Sequence, residues 1–221
     1  MKAVRVVFLV FGILFVIASL GFLISGGVIM TLENTFKDAQ GYYSTAPFPV
    51  ETRAAALVTG QGDIGTGPVW IRPHLNATVR IKGINDNPDR PIFIGIARTT
   101  DINRYLEGIA YSQTDYYSSH QNTLTFHHFQ GLTSAPAPAS QNFWIASVQG
   151  TGAQTLEWEI SSGRYSAVLM NADGSSPIYS EVSVGIKIPG VFHALGIGLL
   201  VTGTVLLLGG GLMIFWGARG L

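Results

Sequence analysis

The sequence predicts a mainly β protein, in which an extracytoplasmic antiparallel β-sandwich of jelly-roll type is flanked by N- and C-terminal transmembrane α-helices. Two features of the 221 residues lead to this fold class. Long uncharged apolar runs lie at both ends, and between them short alternating runs are separated by Gly, Pro, Asn, Asp and Ser. Only 12% of the residues are charged, against about a quarter in an average globular domain, because the two apolar runs contain none.

Each apolar run is long enough to cross a bilayer as a helix. Between Arg5 and Glu33 there are 27 uncharged residues, and between Lys187 and Arg219 there are 31. At a rise of about 1.5 Å per residue, either helix exceeds the ~30 Å hydrocarbon thickness. The predicted organisation is a transmembrane helix over residues 1–31, a stalk or edge strand over 32–51, the β-sandwich over 52–189, and a second transmembrane helix over 190–218.

A cleaved signal peptide is the alternative interpretation of the first run. The start, Met1-Lys-Ala-Val-Arg5, fits that interpretation. The apolar core is far longer than the usual ~7–15 residues, however, and no A-x-A-like site follows it. We therefore expect the run to be retained as a membrane anchor.

The basic residues around the two runs predict the orientation. Lys2 and Arg5 precede the first run and Arg219 follows the second, whereas 13 acidic and ten basic residues lie between the runs. The positive-inside tendency then places both termini in the cytoplasm and residues 31–189 outside the plasma membrane. The lipid bilayer is the first expected partner, and no nucleic acid is expected. The absence of cysteine excludes thiol catalysis and thiolate metal ligands.

Short alternating runs between the spans predict nine strands. In the run 155–160, Leu156 and Trp158 point to one side while Glu157 and Glu159 point to the other, as in a half-buried strand. The predicted strands are Thr52–Thr59, Val69–Arg72, Thr78–Ile84, Ile92–Ala97, Thr123–His127, Phe143–Val148, Thr155–Ile160, Arg164–Met170 and Tyr179–Ile188.

Local sequence adds three expectations. Ser161-Ser-Gly163 is predicted to join the strands on either side of it as a hairpin, with Trp158, Tyr165 and Leu169 in the core and Ser166 on a less buried face. Thr100 or Asp101 is predicted to cap a short helix that Gly108 closes. The Ala- and Pro-rich segment 132–140 is predicted to be an extended, exposed loop.

One histidine group has the chemistry of a metal site. His120, His127 and His128, with Asp115 nearby, offer imidazole and carboxylate ligands that suit zinc. Neighbouring residues on a strand face opposite ways, however, so only one of His127 and His128 can point at a shared ion. His120 and Asp115 also lie in a polar, Tyr- and Ser-rich stretch. A solvated loop next to an edge strand is the favoured interpretation, and neither a metal nor a cofactor is expected.

Three further patterns have both a functional and an ordinary interpretation. The run Asn85–Phe93 carries alternating oxygen ligands that suit calcium, but Asn, Asp and Pro are also common turn residues. Asn76-Ala-Thr78 matches a glycosylation acceptor. The aromatic residues could form a binding surface or cap one end of the sandwich. These aromatic residues are Tyr116, Tyr117, Phe126 and Phe129.

Small residues recur every four positions in both spans. Ala194, Gly198 and Thr202 do so in the second span, and Gly21 and Ser25 in the first. Small side chains at this spacing let helices approach closely. We expect these faces to pack the two spans together or to dock them on a partner.

Several blocks match a known family in the same order. They are Phe93–Ala97, Asp101–Gly108, Pro138–Ser147, Gln154–Glu159 and Gly163–Gly174. The chain thereby resembles, over roughly residues 55–190, a family of uncharacterised prokaryotic membrane proteins that is common in actinobacteria. The resemblance implies an extracytoplasmic β domain between two spans, and it implies no activity or catalytic residues. The strand-rich layout also resembles bacterial pre-peptidase C-terminal sandwiches.

The expected function follows from the layout. The cytoplasmic tails are only a few residues long, so a signal from the outer domain has to pass through the spans to another protein. We expect a non-catalytic accessory, binding or scaffolding subunit of a cell-envelope complex, with a membrane-protein partner or a homo-oligomer formed through the helices. One alternative is a cell-surface ligand-binding sensor or adhesin that uses a loop over residues 111–141. Another is a metal-dependent surface hydrolase, although neither G-x-S-x-G nor H-E-x-x-H occurs.

Overall fold

The computed structural model describes residues 2–60, 62–63, 77–118 and 123–219. These residues form two compact units. One unit comprises residues 1–37 and 190–221, and the other is the β unit, Asp38–Pro189. The predicted strand Val69–Arg72, Asn76 and His120 lie outside the described residues.

The first unit is a pair of long apolar helices. Helix α1 spans Lys2–Thr35 and helix α3 spans Val191–Ala218. The segments Val4–Leu32 and Phe192–Ala218 are long and apolar enough to cross a membrane, and most of their side chains are exposed. Both helices therefore meet the length and composition of a transmembrane span.

The two helices are antiparallel and approach each other at glycines. A Cβ atom added at Gly12 would lie 2.8 Å from the carbonyl oxygen of Gly210, and one added at Gly26 would lie 3.0 Å from that of Gly196. The close positions recur every seven residues, which keeps them on one face of each helix. On α1 these positions are Gly12, Ser19 and Gly26, and on α3 they are Gly196, Gly203, Gly210 and Gly217.

The small residues that recur every four positions in the sequence are not the ones at which the two helices meet. Gly21, Ser25, Ala194, Gly198 and Thr202 are all exposed. A Cβ atom added at Gly21 or Gly198 would meet no atom within 4 Å. The expectation that these residues pack the two helices together is therefore wrong, because the contact follows the seven-residue repeat. Their docking on a partner stays a prediction.

The described part of the β unit forms two sheets. Sheet A has the order β1-β12-β5-β10, and β2 also pairs with β12; sheet B has the order β8-β7-β3-β11-β6-β9, and β4 also pairs with β11. The strands are β1 (Tyr43–Ser44), β2 (Phe48–Thr52), β3 (Ala56–Thr59), β4 (Gly62–Asp63), β5 (Thr78–Asn85), β6 (Ile92–Arg98), β7 (Tyr111–Ser118), β8 (Thr123–Phe129), β9 (Ala146–Gly150), β10 (Gln154–Glu159), β11 (Arg164–Asn171) and β12 (Ile178–Lys187). Helix α2 spans Thr99–Tyr105, and a 3₁₀ turn spans Pro138–Ser140.

One strand pair departs from the predicted antiparallel arrangement. β3 runs parallel to β7, whereas the other strand pairs are antiparallel. A parallel pair needs a long connection between its strands. Here the chain from Thr59 to Tyr111 provides it and contains β5, β6 and α2.

A hydrophobic cluster joins the two sheets. Val50 of sheet A and Ile94 of sheet B belong to it and are 0% and 1% exposed. Tyr165 and Leu169 are also members, and Trp158 packs against the cluster. The predicted core positions of these three residues are confirmed. Burial of apolar side chains in such a cluster is the main source of a domain's stability.

Sheet B is also buried on its other face. A second cluster there includes Ala97, Ile102, Val168 and Met170, which come from β6, β11 and α2. Ser166 lies on this face, is 3% exposed and shares a hydrogen bond of 3.0 Å with the Thr99 hydroxyl. The expectation of a less buried side for Ser166 is therefore wrong, because α2 covers it.

Two predicted connections differ from the observed ones. The predicted strand 52–59 is split between β2 in sheet A and β3 in sheet B. The predicted hairpin at residues 161–163 is instead a crossing, since β10 pairs with β5 and β11 pairs with β6. The rings of Trp158 and Tyr165 meet edge to face at 4.9 Å between the two sheets. Inward-facing residues of a hairpin and of a crossing give the same sequence pattern, so the alternation did not distinguish them.

Three local expectations also change. Residues 111–118, predicted as a polar loop, form β7. Helix α2 begins after Arg98 and has no side-chain cap, although Gly108 does follow it with a φ of 75°. The segment 132–140 is not fully exposed, because Pro138 is buried.

Candidate functional site

The predicted histidine group is divided by strand β8. His127 and Phe129 make a ring contact at 4.8 Å, and Phe126 and His128 make one at 6.2 Å. The two histidines therefore lie on opposite faces, as alternation requires. Asp115 lies in β7. Among the described residues, no group of three His, Cys, Asp or Glu side chains is placed to hold a metal ion.

A chain of hydrogen bonds connects the exposed side chain of His128 to two buried hydroxyl groups. The Nδ1 atom of His128 lies 2.8 Å from the Ser112 hydroxyl, and that hydroxyl lies 2.6 Å from the Thr52 hydroxyl. The backbone N–H of Ala54 donates to the Thr52 oxygen at 3.1 Å. Ser112 is 0% exposed and Thr52 is 6% exposed. The chain fixes the imidazole orientation and links β8, β7 and β2 at one point.

His128 and Phe129 line a cleft of about 580 Å³. Its walls come from the end of β2 and the turn after it, from the start of β7, and from the segment after β8. Such a cleft is within the size range of small-molecule sites. The other lining residues include Glu51, Arg53, Ala110, Tyr111, Gln130, Gly131, Thr133 and Tyr179.

Two of the aromatic residues predicted as one surface, Phe126 and Phe129, do not lie together. Phe126 packs against the core cluster between the sheets, whereas Phe129 is 36% exposed and faces the cleft side. Phe129 stacks on Tyr111, with ring centroids 4.3 Å apart and planes 12° apart. The backbones of Tyr116 and Tyr117 pair with Thr125 and Leu124. The stacked pair Tyr111–Phe129 thus forms one aromatic wall of the cleft, and Tyr179 also lines it.

The cleft is lined by side chains of both charges. Glu51 and Arg53 are both exposed and lie two residues apart, on either side of Thr52. Burial raises the pKa of the Tyr111 phenol, so this group remains a protonated hydrogen-bond donor at neutral pH. The cleft therefore offers a carboxylate, a guanidinium, an imidazole and an aromatic pair.

The strand register locates the cleft within the β unit. Thr52 lies opposite Ile178, at the start of β12. The chain enters the β unit through β1, where Tyr43 pairs with Ile186, and it leaves at the end of β12. The cleft is consequently at the end of the β unit opposite to the one where the chain enters and leaves.

At the end of the β unit where the chain enters, a buried arginine binds the first residues of the unit. Arg80 of β5 is 3% exposed and donates hydrogen bonds to Asp38, to the Gln40 amide oxygen at 2.5 Å and to the Ser44 hydroxyl at 3.0 Å. Its guanidinium also lies 3.9 Å from the centre of the Tyr42 ring. The hydrogen bond from Arg80 holds the pKa of Asp38 at about 2, below its usual 3.8. This contact fixes the first residues of the unit to sheet A.

The calcium-like run forms a turn. The Asn85 side-chain oxygen accepts from the N–H of Asn87, and the Asn87 oxygen accepts from the N–H of Asp89, at 3.0 and 3.1 Å. These bonds are those of Asx turns. Asn85 also donates to Asn171 at 3.0 Å, and both residues are buried. The run's side chains therefore order the β5–β6 connection.

The Pro-rich segment is held by two aromatic residues. Tyr105 of α2 donates its hydroxyl to the Pro136 carbonyl at 2.6 Å, and Trp144 donates its indole N–H to the Pro138 carbonyl at 2.8 Å. Burial raises the pKa of Tyr105 to about 12, which keeps the hydroxyl protonated. This part of the stretch 111–141 is thereby fixed in place.

Comparisons with known proteins give no family. No protein-family model matches the chain, and no curated protein matches it. Among solved structures, a copper-binding surface-associated protein of Methylomicrobium album BG8 aligns at 12% identity over 70% of this chain and 97% of that chain, with a TM-score of 0.30. Tomato aspermy virus aligns at 16% identity over 70% and 82% with a TM-score of 0.27, and mud crab dicistrovirus at 14% over 71% and 76% with a TM-score of 0.26. TM-scores this low do not identify a shared fold.

Proposed function

We propose that this chain is a two-pass membrane protein whose β unit is an extracytoplasmic jelly-roll sandwich that acts as a non-catalytic binding subunit of the cell envelope. The cleft between Glu51, Tyr111 and Phe129 is its binding site. The single observation that carries this function is a polar and aromatic cleft of about 580 Å³ at the end of the β unit away from its two chain connections.

Membrane placement is supported by the exposed surface of the first unit. Its helices present large apolar side chains outward, for example Ile24 at 65% and Leu208 at 64% exposed. Exposed apolar surface on this scale is costly in water and favourable in lipid. Lys2, Arg5 and Arg219 flank the spans and favour cytoplasmic termini.

The jelly-roll topology is supported by the strand order. Eight strands pair as β2-β12-β5-β10 in one sheet and as β3-β11-β6-β9 in the other. Along the chain, these eight strands alternate between the sheets except at β6 and β9, which follow each other in the second sheet. Two interlocked Greek keys give this order. In this interpretation, β7 and β8 extend the second sheet beyond β3 and build one wall of the cleft.

A binding role is favoured over hydrolysis by the position of the hydroxyl groups. The Ser112 hydroxyl beside His128 resembles a nucleophile next to a base. Ser112 is fully buried, however, and shares its second hydrogen bond with Thr52. The arrangement therefore positions His128 and does not present a nucleophile to the cleft.

The expected test uses the full chain in its own membranes. A binding subunit extracted gently should copurify with a stoichiometric partner, and Phe129→Ala or Arg53→Ala should release that partner. Ile145→Ala is the matched control, because Ile145 is 47% exposed and does not line the cleft. Retention of the partner by both cleft variants would disprove the proposed site.

The sensor or adhesin alternative uses the same cleft. It is favoured by the fact that Tyr111, His128, Phe129 and Thr133 all fall in residues 111–141. This alternative predicts a chain that purifies alone and binds a small molecule or a surface of another cell. The size of the extracted particle therefore separates the two functions.

A further inference from the structure

A second cavity, partly open to the outside, lies between the two sheets of the β unit. Its volume is about 220 Å³, and its surface is almost entirely carbon. The lining residues include Phe48, Ile81 and Val182 of sheet A and Leu57, Ile94 and Leu169 of sheet B. All six belong to the cluster that joins the sheets, so the cavity interrupts the hydrophobic core itself.

Three threonines at the cavity turn their oxygen atoms to the backbone. The hydroxyl oxygens of Thr45, Thr59 and Thr114 accept hydrogen bonds from the N–H groups of Val184, Ala167 and Gly60, at 3.1, 2.9 and 3.3 Å. Each of these oxygens is thereby used as an acceptor within the fold. The rest of the wall, as far as the structure describes it, is apolar.

The cavity is partly open, so a ligand can reach its apolar lining. Apolar surface of this kind holds water poorly, and a cavity of about 150 Å³ lined by Leu, Ile and Phe takes up benzene. A cavity of about 220 Å³ is therefore large enough to bind a hydrocarbon group.

We propose that this cavity is a binding site for an alkyl chain. The site is distinct from the cleft proposed above, since the two share no lining residue. An uncharged hydrocarbon matches a wall whose described residues are all uncharged and mostly aliphatic, and each buried methylene is favourable. Two sources can supply such a chain, a bilayer lipid or a free fatty acid.

The test uses the full chain in phosphatidylcholine nanodiscs and a diazirine as the photoreactive group. In one arm the diazirine sits near the acyl end of a phosphatidylcholine, and in the other it sits near the end of free decanoic acid. After irradiation, labelled peptides are mapped by mass spectrometry. We expect label on the peptides that carry Leu57, Ile94 and Leu169 in one arm or both, and the arm that labels identifies the source.

Two variants test the site. Ala167 lines the cavity, so Ala167→Leu fills it and should remove most of this label. Ala153 is exposed and outside the cavity, so Ala153→Leu should keep the label. Label on α1 and α3 in the lipid arm is the internal standard. Failure of both probes to label the lining residues would overturn the proposal, as would equal labelling of Ala167→Leu and the wild type.

Ala167→Leu could lose the label by misfolding, so a competition experiment on the wild-type chain tests the site independently. Excess unlabelled decanoic acid should reduce the label on the lining residues of the wild-type chain. Unchanged labelling under this competition would show that the reaction is not site-specific and would also overturn the proposal.

Discussion

Gly12 of α1 and Gly210 of α3 oppose each other so closely that a Cβ atom added to either would lie 2.8 Å from the carbonyl oxygen of the other. The contact repeats at Gly26 and Gly196, two heptads away along α1. Close backbone approach lets dispersion forces act along the whole helix pair. The seven-residue glycine pattern is therefore what sets the distance between the helices.

The first prediction concerns this helix pair. Gly210→Leu should destabilise it by about 1–3 kcal/mol, because the larger side chain meets backbone and forces the helices apart. Gly198→Leu is the matched control, since its position is open. Unfolding of the full chain in mixed micelles with increasing sodium dodecyl sulfate measures both. Equal stability of the two variants would contradict the heptad contact.

Much of the β unit was predictable because its strands have one or two buried faces. Alternation in residues 155–160 and 179–188 reports inward and outward positions directly, and the observed β10 and β12 agree with it to within one or two residues. Pairing was less predictable. The alternation around Trp158 and Tyr165 predicts which side chains face the core, but it does not predict which strand pairs with β10 or with β11.

Most residues of the candidate site could not be predicted from the sequence. β7 was not predicted because its residues are polar. Ser112 is buried there with its hydroxyl group satisfied by Thr52 and His128, which lie on other strands. Glu51, Tyr111 and Tyr179 lie far apart in the chain. The pairing of β2 with β12 places Glu51 opposite Tyr179, and the hydrogen bond between Thr52 and Ser112 joins β2 to β7, which begins with Tyr111. No local pattern carries that information.

The second prediction concerns topology. A reporter that is active only in the cytoplasm should be active when fused after Leu221 and silent when inserted at Asn87. Asn87 lies in an exposed turn between β5 and β6, so an insertion there leaves the core intact. The basis is the set of basic residues that flank the spans. The opposite pair of activities would reject the proposed orientation.

The third prediction concerns acid. The pKa of Asp38 is lowered to about 2, first by its hydrogen bond from Arg80, so its ionised form stabilises the folded state above about pH 4. That contribution should be lost as the pH falls from about 4 to about 2. Asp38→Asn should melt below the wild type at pH 7, and the two melting temperatures should converge by pH 2. A constant difference across this range would show that Asp38 is not charged against Arg80.

The last prediction concerns the core of the β unit. Leu169 is 6% exposed in the cluster between the sheets, so Leu169→Ala should lower the free energy of unfolding by about 2–5 kcal/mol. Glu159 is exposed on β10, and Glu159→Ala should change that free energy by no more than about 0.5 kcal/mol. Both are measured by urea denaturation of residues 38–189, which should unfold cooperatively because both hydrophobic clusters lie within them. A fragment without a cooperative transition would show that the β unit depends on its helices or on a partner.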